Sequence, residues 1–366
     1  MVGRPIADFP VKKNLKRVFY SIMKILIEMT HPADVHLFRN AISEFTKAGH
    51  TVAVTARHKD VTVELLKNYN IPFTTLSNRG KNIVALAGEL LVRDLRLLKF
   101  CISFKPDILT GLGGICAAHI GFLLRKPVVI WDDTEIATLQ QKIAYPFASQ
   151  IYCPDCYYKK LGKKQRFYPG FHQLAYLYPG RFTPDVNVVK NLGIKTDEKY
   201  CIVRFVSWQA HHDIGQRGVP LADRFKFVED LSRYVKVYIS SESPLPPALE
   251  KFKLSAPAHL MHHILSFASL YVGEGATTAA EAAVLGVPAV YVNTLKLGYI
   301  NMLERFGLVR QPVETSQALR DCIELVTDKN AREKALSARQ KLLSGKIDVT
   351  DFIVKTIEKA AVKSGR

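Results

Sequence analysis

Nowhere in the 366 residues does an apolar run reach the roughly 18 uninterrupted positions that a membrane-spanning helix needs. The best stretch, Ile83 to Phe104, is broken by Glu89, Arg93, Asp94, Arg96 and Lys99. Cysteine is sparse, at six residues, which excludes the disulfide framework of a small secreted domain. One pair, Cys153-Pro-Asp-Cys156, has C-x-x-C spacing. A second such pair, or paired histidines at zinc spacing, is missing, so two ordinary reduced thiols are expected. Acidic residues are also short: 33 Asp and Glu face 51 Lys and Arg, a formal charge of +18. That balance draws anions, whether nucleic acid, anionic lipid head groups or phosphorylated small molecules. No nucleic-acid module or aromatic-basic repeat accompanies it, so nucleic acid is not an expected partner. A cytoplasmic protein is expected, with the inner face of the membrane as a further location.

What is present is ordinary globular composition, 48 % hydrophobic and 23 % charged, in a length that suits two domains of about 150 residues each. Residues 1–22 form a basic extension with Lys12, Lys13, Lys16 and Arg17 clustered. It lacks the apolar core and cleavage site of a secretory signal. A disordered tail, a basic arm touching anionic membrane, and a start at Met23 are its three readings.

From Met23 strands and helices alternate. An apolar strand over 25–29 leads through Thr30-His31-Pro32-Ala33-Asp34 into a helix with Val35, Phe38, Ile42 and Phe45 at helical spacing. Strands follow near 52–54, 71–73, 106–110 and 126–131, with helices over 61–69, 83–104 and 115–124 between them. The segment YPGFHQLAYLYPGRFTPDV, with Pro169, Pro179 and Pro184 and Gly170 and Gly180, reads as a connector. A second alternation starts at Cys201-Ile202-Val203-Arg204-Phe205-Val206. The expected organisation is the extension 1–22, a first Rossmann-like unit over 23–170, a hinge over 171–185, and a second Rossmann-like unit with closing helices over 186–366. The fold class is α/β: two doubly wound parallel sheets facing a cleft. Ligands of such sheets sit at the carboxyl ends of the strands.

The sharpest motif runs from Gly273 to Pro288, GEGATTAAEAAVLGVP. A strand ends, glycine permits close backbone approach, and a helix begins, so free N–H groups and the positive helix end point into the loop. Gly275, Thr277 and Thr278 can receive a phosphate there, and Glu281, one turn in, can accept hydrogen bonds from a ribose. An ordinary glycine-rich strand–helix turn with a threonine cap reads equally from these residues. The G-K-[ST] ending of a P-loop is missing.

These residues resemble the donor-nucleotide half of GT-B glycosyltransferase-like proteins, and are similar to the peptidoglycan N-acetylglucosaminyltransferase and the non-hydrolysing UDP-N-acetylglucosamine 2-epimerase. Leu285-Gly286-Val287-Pro288 matches the strand entry of those families, and Glu281 their ribose-binding acid. MTHPADVHLFRNAI, WDDTE and YPGFHQLAYL further resemble an uncharacterised, largely archaeal prokaryotic family of the same kind, over about Met23 to Val326. The resemblance implies a UDP-sugar in the second unit and an acceptor, lipid-linked in the peptidoglycan relative, in the first. The sequence departs from the epimerase pattern, which has a serine-glycine-glycine loop and two adjacent glutamates. Gly275-Ala276-Thr277 and Ala280 stand at those places. The glycine-rich first loop of the peptidoglycan enzyme is replaced by Thr30-His31-Pro32-Ala33-Asp34.

Candidate chemistry follows. His31 at the first strand tip is the base candidate for an acceptor hydroxyl, with Asp34 beside it; alternatively Asp34 caps the helix and His31 is a polar loop residue. Asp133 or Glu135, in Trp131-Asp132-Asp133-Thr134-Glu135, can orient a histidine or simply cap the next helix. Arg204, costly to bury unpaired, can pair a diphosphate bidentately or join an internal ion pair, and Ser207 follows it. His211, His212 and Asp213 lack further ligands at usable spacing, so no metal and no cofactor is expected. His262 and His263 read as packing or surface residues. Lys159, Lys160, Lys163, Lys164 and Arg166 form either a solvated face or a docking site for anionic lipid. The expected function is metal-independent transfer of a sugar from a nucleotide sugar, UDP-linked by resemblance, to an acceptor. A sugar-nucleotide epimerase or hydrolase, or a non-catalytic nucleotide-sugar-binding protein, are the alternatives.

Overall fold

The computed structural model describes residues 22–58, 61–78, 83–206, 218–241 and 244–364. Most of the N-terminal extension and the segment from Ser207 to Asp213 therefore lie outside the described residues.

Seven strands form the first sheet: β1 (Lys24–Met29), β2 (Thr51–His58), β3 (Thr74–Asn78), β4 (Ile108–Leu112), β5 (Val128–Trp131), β6 (Gln150–Pro154) and β7 (Gln165–Tyr168). Their order is β3-β2-β1-β4-β5-β6-β7, and every pairing is parallel. Ile25, Leu26, Ile27 and Met29 of β1 are all fully buried, because a parallel sheet covered on both faces needs continuous apolar strands rather than alternating ones. Helices α1 (Pro32–Lys47), α2 (Thr62–Asn68), α3 (Ile83–Phe104), α4 (Ile115–Leu123) and α5 (Thr138–Ala144) connect them. The expected strand at 71–73 is irregular, and β3 begins at Thr74 instead. Pro72 has no N–H to give a ladder, so pairing starts beyond it.

Two short helices, α6 (Leu174–Leu177) and α7 (Val186–Asn191), lead to the second sheet. It contains β8 (Tyr200–Phe205), β9 (Lys236–Ser241), β10 (Leu270–Gly273), β11 (Ala289–Tyr291) and β12 (Val309–Arg310), in the order β12-β11-β10-β8-β9, again all parallel. Its helices are α8 (Arg224–Ser232), α9 (Met261–Phe267), α10 (Ala276–Val284), α11 (Gly298–Arg305), α12 (Thr315–Thr327), α13 (Ala331–Ser344) and α14 (Val349–Ser364). In both sheets the chain leaves a central strand in opposite directions, between β1 and β4 and between β8 and β10, which creates the crevice where α/β sheets bind ligands.

The segment 171–177, read as part of a hinge, is packed: Phe171, His172, Gln173, Leu174, Ala175, Tyr176 and Leu177 are all buried. Helix α14 belongs by sequence to the second unit, yet it lies against the first sheet. Phe352 stacks on Tyr168 at 5.3 Å and meets Trp131 at 6.1 Å edge-on. Thr350 donates to the Ala175 carbonyl, and Glu358 pairs with His50 at 3.3 Å. The apolar face of α14 finds on the first sheet the aromatic cover that Trp131, Tyr152 and Tyr168 provide.

Candidate functional site

The carboxyl ends of the two sheets meet. Glu135, beyond β5, accepts a hydrogen bond at 3.0 Å from the Gly298 N–H that starts α11. Tyr176, on α6, donates to Glu281 on α10 at 2.7 Å. His36, on α1, packs its ring 4.8 Å from His262 on α9 and 5.2 Å from Tyr176.

The β10–α10 turn is shaped by close approach. A Cβ on Gly273 would lie 2.6 Å from the Arg204 carbonyl oxygen and 2.7 Å from the Tyr271 hydroxyl, so no side chain fits there. The Cβ position of Gly275 falls 3.8 Å from Arg204 Nε. The structure thus brings together Arg204 and Gly275, which are distant in sequence. Arg204 also donates to Ser240 Oγ at 2.8 Å. Thr277 neighbours the Tyr299 hydroxyl and Thr278 that of Tyr271, which donates to the Gly275 carbonyl at 3.2 Å. Gly275, Ala276, Thr277 and Thr278 remain half-exposed while the rest of α10 is buried, and Gly275 offers the helix no side-chain cap.

Three other helix starts, those of α1, α4 and α11, are filled by carboxylates. Asp34 accepts from the Thr30 and His31 N–H groups at 2.5 and 3.0 Å, and His31 Nδ1 accepts from the Ala33 N–H at 3.2 Å, a capping box that starts α1. Glu28 accepts from the Ala117 N–H at 2.8 Å, inside the first turn of α4. Glu135 does the same for α11. Among the described residues, no such carboxylate lies on the positive end of α10. Glu274, next to it, is directed elsewhere: its carboxylate accepts from the N–H groups of Val206 and Val219, both at 3.0 Å, and pairs with Arg224.

Glu281 is buried, and its Oε1 accepts from Tyr176 and contacts His262 Nε2 at 3.0 Å. Burial pushes its pKa up, but the charge and hydrogen bond of His262 and the bond from Tyr176 outweigh it and hold the group below the usual carboxylate range. His262, read from sequence as packing, is therefore what positions the ribose-binding candidate.

The three acids of WDDTE have different surroundings. Asp132 turns inward, accepting from Tyr145, from Tyr157 at 2.8 Å and from the Thr134 N–H at 2.8 Å; burial raises its pKa. Asp133 lies 2.9 Å from His172 Nδ1. Burial pushes Asp133 up, and His172 more than compensates, leaving it lowered. Glu135 is pushed up to about 7 by burial. The charge of Asp133 also acts on Tyr176 of α6 and Tyr299 of α11. His31 is an exposed cap residue, and Asp34 accepts hydrogen bonds at the α1 turn. Sequence reading missed His172. The available signal was a histidine inside the otherwise apolar, proline-punctuated YPGFHQLAYL. Ser207 lies outside the described residues. Among the described residues, no group of three or more His, Cys, Asp or Glu side chains is placed to hold a metal, and no helix is long and apolar enough to cross a membrane.

Two parallel sheets meeting at their carboxyl ends, with a glycine-rich helix start between them, define the GT-B glycosyltransferase-like class. The chain belongs to the family described as protein of unknown function DUF354, which matches residues 23–360. An uncharacterized protein of Methanocaldococcus jannaschii is 21% identical over 281 residues, 73% of this chain and 81% of that protein. A UDP-N-acetylglucosamine--N-acetylmuramyl-(pentapeptide) pyrophosphoryl-undecaprenol N-acetylglucosamine transferase of Vesicomyosocius okutanii is 24% identical over 146 residues, 37% of this chain and 43% of that enzyme. Among solved structures, the UDP-GlcNAc 2-epimerase of Neisseria meningitidis bound to UDP-GlcNAc aligns with TM-score 0.66 at 13% identity, covering 92% of this chain and 100% of that one. MurG of Acinetobacter baumannii aligns with TM-score 0.55 at 18% identity, covering 92% and 99%. At these identities the likeness carries the fold.

Proposed function

We propose that the protein is a metal-independent glycosyltransferase that takes a UDP-linked sugar at the start of α10 and transfers the sugar to an acceptor bound on the first sheet. One observation carries this reading. Among the described residues, the starts of α1, α4 and α11 each hold a protein carboxylate while that of α10 holds none, and α10 is the one that starts beside Arg204. A helix start next to a guanidinium stabilises a diphosphate leaving group. In this reading Gly275, Thr277, Thr278 and Arg204, joined by Ser207, hold the diphosphate, and Glu281 holds the ribose. The transferase relative from Vesicomyosocius okutanii names a lipid-linked acceptor, and the basic balance of +18 supports an acceptor presented at an anionic membrane surface.

Calorimetric titration with uridine, UMP and UDP tests the donor site. A ribose diol on an ionised carboxylate makes charge-assisted hydrogen bonds worth about 1.5–3 kcal/mol each. Glu281→Gln should therefore weaken UDP about tenfold or more, since about 1.4 kcal/mol is one decade. Arg204→Ala should weaken UDP and leave uridine unchanged. A wild-type protein that binds no nucleotide at millimolar concentration defeats the reading.

A second reading, sugar-nucleotide epimerisation or hydrolysis, is favoured by the higher TM-score of the Neisseria epimerase than of MurG. Incubation with UDP-N-acetylglucosamine separates the two: a C2-inverted sugar nucleotide, or free sugar formed as fast with water alone as with cell lipid extract, supports the second.

A further inference from the structure

Four buried polar atoms near Asp133 make no hydrogen bond of good geometry among the described residues: His172 Nδ1, which has only the ion-pair contact to Asp133 at 2.9 Å, His172 Nε2, Glu135 Oε2 and Tyr168 Oη. Asp133 pairs with the first of these residues and acts electrostatically on the other two. Native proteins leave few such atoms unsatisfied. The free Nε2 of His172, 2.9 Å from Asp133 through its other ring nitrogen, and the two further atoms on residues that feel the Asp133 charge mark a place suited to a polar group that binds there.

Asp133 Oδ2, at 2.9 Å from His172 Nδ1, favours the tautomer with the proton on Nδ1 and the lone pair on Nε2. The same carboxylate stabilises the imidazolium once Nε2 takes a proton. Tyr299 lies between this pair and the donor side: its side chain neighbours Thr277 at the start of α10 and feels both Asp133 and Glu135. We propose that His172, oriented by Asp133, accepts the proton of the attacking hydroxyl; this rests on the reading that the start of α10 holds the leaving diphosphate. The acceptor O–H bond breaks, and its proton goes to His172 Nε2. The freed oxygen bonds the anomeric carbon. The bond from that carbon to the phosphate oxygen breaks, and its electron pair stays on the nucleoside diphosphate beside Arg204. Asp133 and Glu135 disfavour a phosphate or carboxylate at this point, and Tyr168 Oη adds a hydroxyl that both donates and accepts. The reacting end of the acceptor is accordingly an uncharged hydroxyl, as on a sugar ring. Asp133 is a positioning residue here.

The test uses the full chain with UDP-N-acetylglucosamine as donor and water as the minimal acceptor, following UDP release, together with UDP titration. General-base contributions of about 10²–10⁴ set the scale. His172→Gln should bind UDP within about twofold of wild type and release it at least about 100-fold more slowly. A loss with His31→Gln and none with His172→Gln overturns the assignment. Independently of turnover, nitrogen-15 NMR of the imidazoles should show His172 with the proton on Nδ1, and Asp133→Asn should shift that tautomer. A His172 protonated on Nε2 alone overturns the proposal even when no donor is turned over or a variant does not fold. Failure of wild type to bind UDP, with the expected tautomer present, defeats the donor-site reading and leaves the dyad standing.

Discussion

At the scale of single residues, what matters is which carboxyl groups are charged. Glu281 and Asp133 lie below their ordinary values because a histidine sits beside each. Their contribution to stability is present above about pH 4 and lost as acid titrates them through their lowered values. Glu135 runs the other way. Burial raises it to about 7, whereas an unfolded glutamate titrates near about 4.3. Between those two values the folded form holds a proton that the unfolded form has lost, so this group makes stability fall as pH rises through that window. Glu135→Gln mimics the protonated acid and keeps the acceptor for the Gly298 N–H. Its melting temperature should rise relative to wild type between pH 5 and pH 8, by about 2 °C or more. A difference constant across that range would show that Glu135 is not the titrating group. Legibility was uneven at this scale. Glu281 was readable because strand end, glycine and helix acid are contiguous in sequence. His172 was not, because its meaning comes from Asp133, which the ends of β5 and β7 bring to it across the sheet. The use of Asp34 as a cap was one of two readings the sequence left open, and the hydrogen bonds from Thr30 and His31 show where its carboxylate goes.

Among the elements, helix starts do the sorting. The α1 start is closed by a reciprocal cap: His31 Nδ1 takes the Ala33 N–H while Asp34 takes those of Thr30 and His31. Removing a cap of this kind costs about 0.5–2 kcal/mol. Asp34→Ala should lose about that much in chemical denaturation, with the midpoint moving and the denaturant slope unchanged. A midpoint within error of wild type would mean the bonds at this turn contribute nothing. The α10 start was visible in the sequence as a motif, but its contrast with α1, α4 and α11 was not. Glu28 and Glu135 reach their helices from other strands, and no local spacing announces a cap supplied from elsewhere in the chain. Strand periodicity located β1, β4, β5 and β8 to within about two residues, while β6, β7 and helix α5 were not read and the strand at 52–54 stops four residues short of the end of β2. It failed at 71–73, where an apolar tripeptide around Pro72 looked like a strand and has no ladder to join.

For the whole molecule, the question is what ties the two sheets together. The packed segment 171–177, helix α14 returning to the first sheet, and the Glu135–Gly298 bond all cross between them. Sequence alternation and family resemblance revealed two Rossmann-like units. They did not reveal the return of α14, since an amphipathic helix at the end of a chain does not say which sheet it covers. Gly298 is where this crossing is tightest. A Cβ there would fall 2.1 Å from the Cys156 carbonyl oxygen and 2.5 Å from Glu135 Oε1. The first is backbone on the loop after β6, which cannot swing away as a long side chain would. Gly298→Ala must therefore part the α11 start from the β5 and β6 loops, breaking the hydrogen bond that crosses between the sheets. The expected loss is about 2–4 kcal/mol, the range of overpacking and broken buried hydrogen bonds. Gly345→Ala, with nothing within 4 Å of its Cβ position and no positive φ, serves as the matched control and should stay within about 0.5 kcal/mol. Because Tyr299 sits one residue beyond Gly298 and its side chain neighbours Thr277, the same displacement should weaken UDP binding in Gly298→Ala and not in Gly345→Ala. Equal stability and equal UDP affinity in the two variants would show that the sheets are held by other contacts and that the α11 start can move without disturbing the donor site.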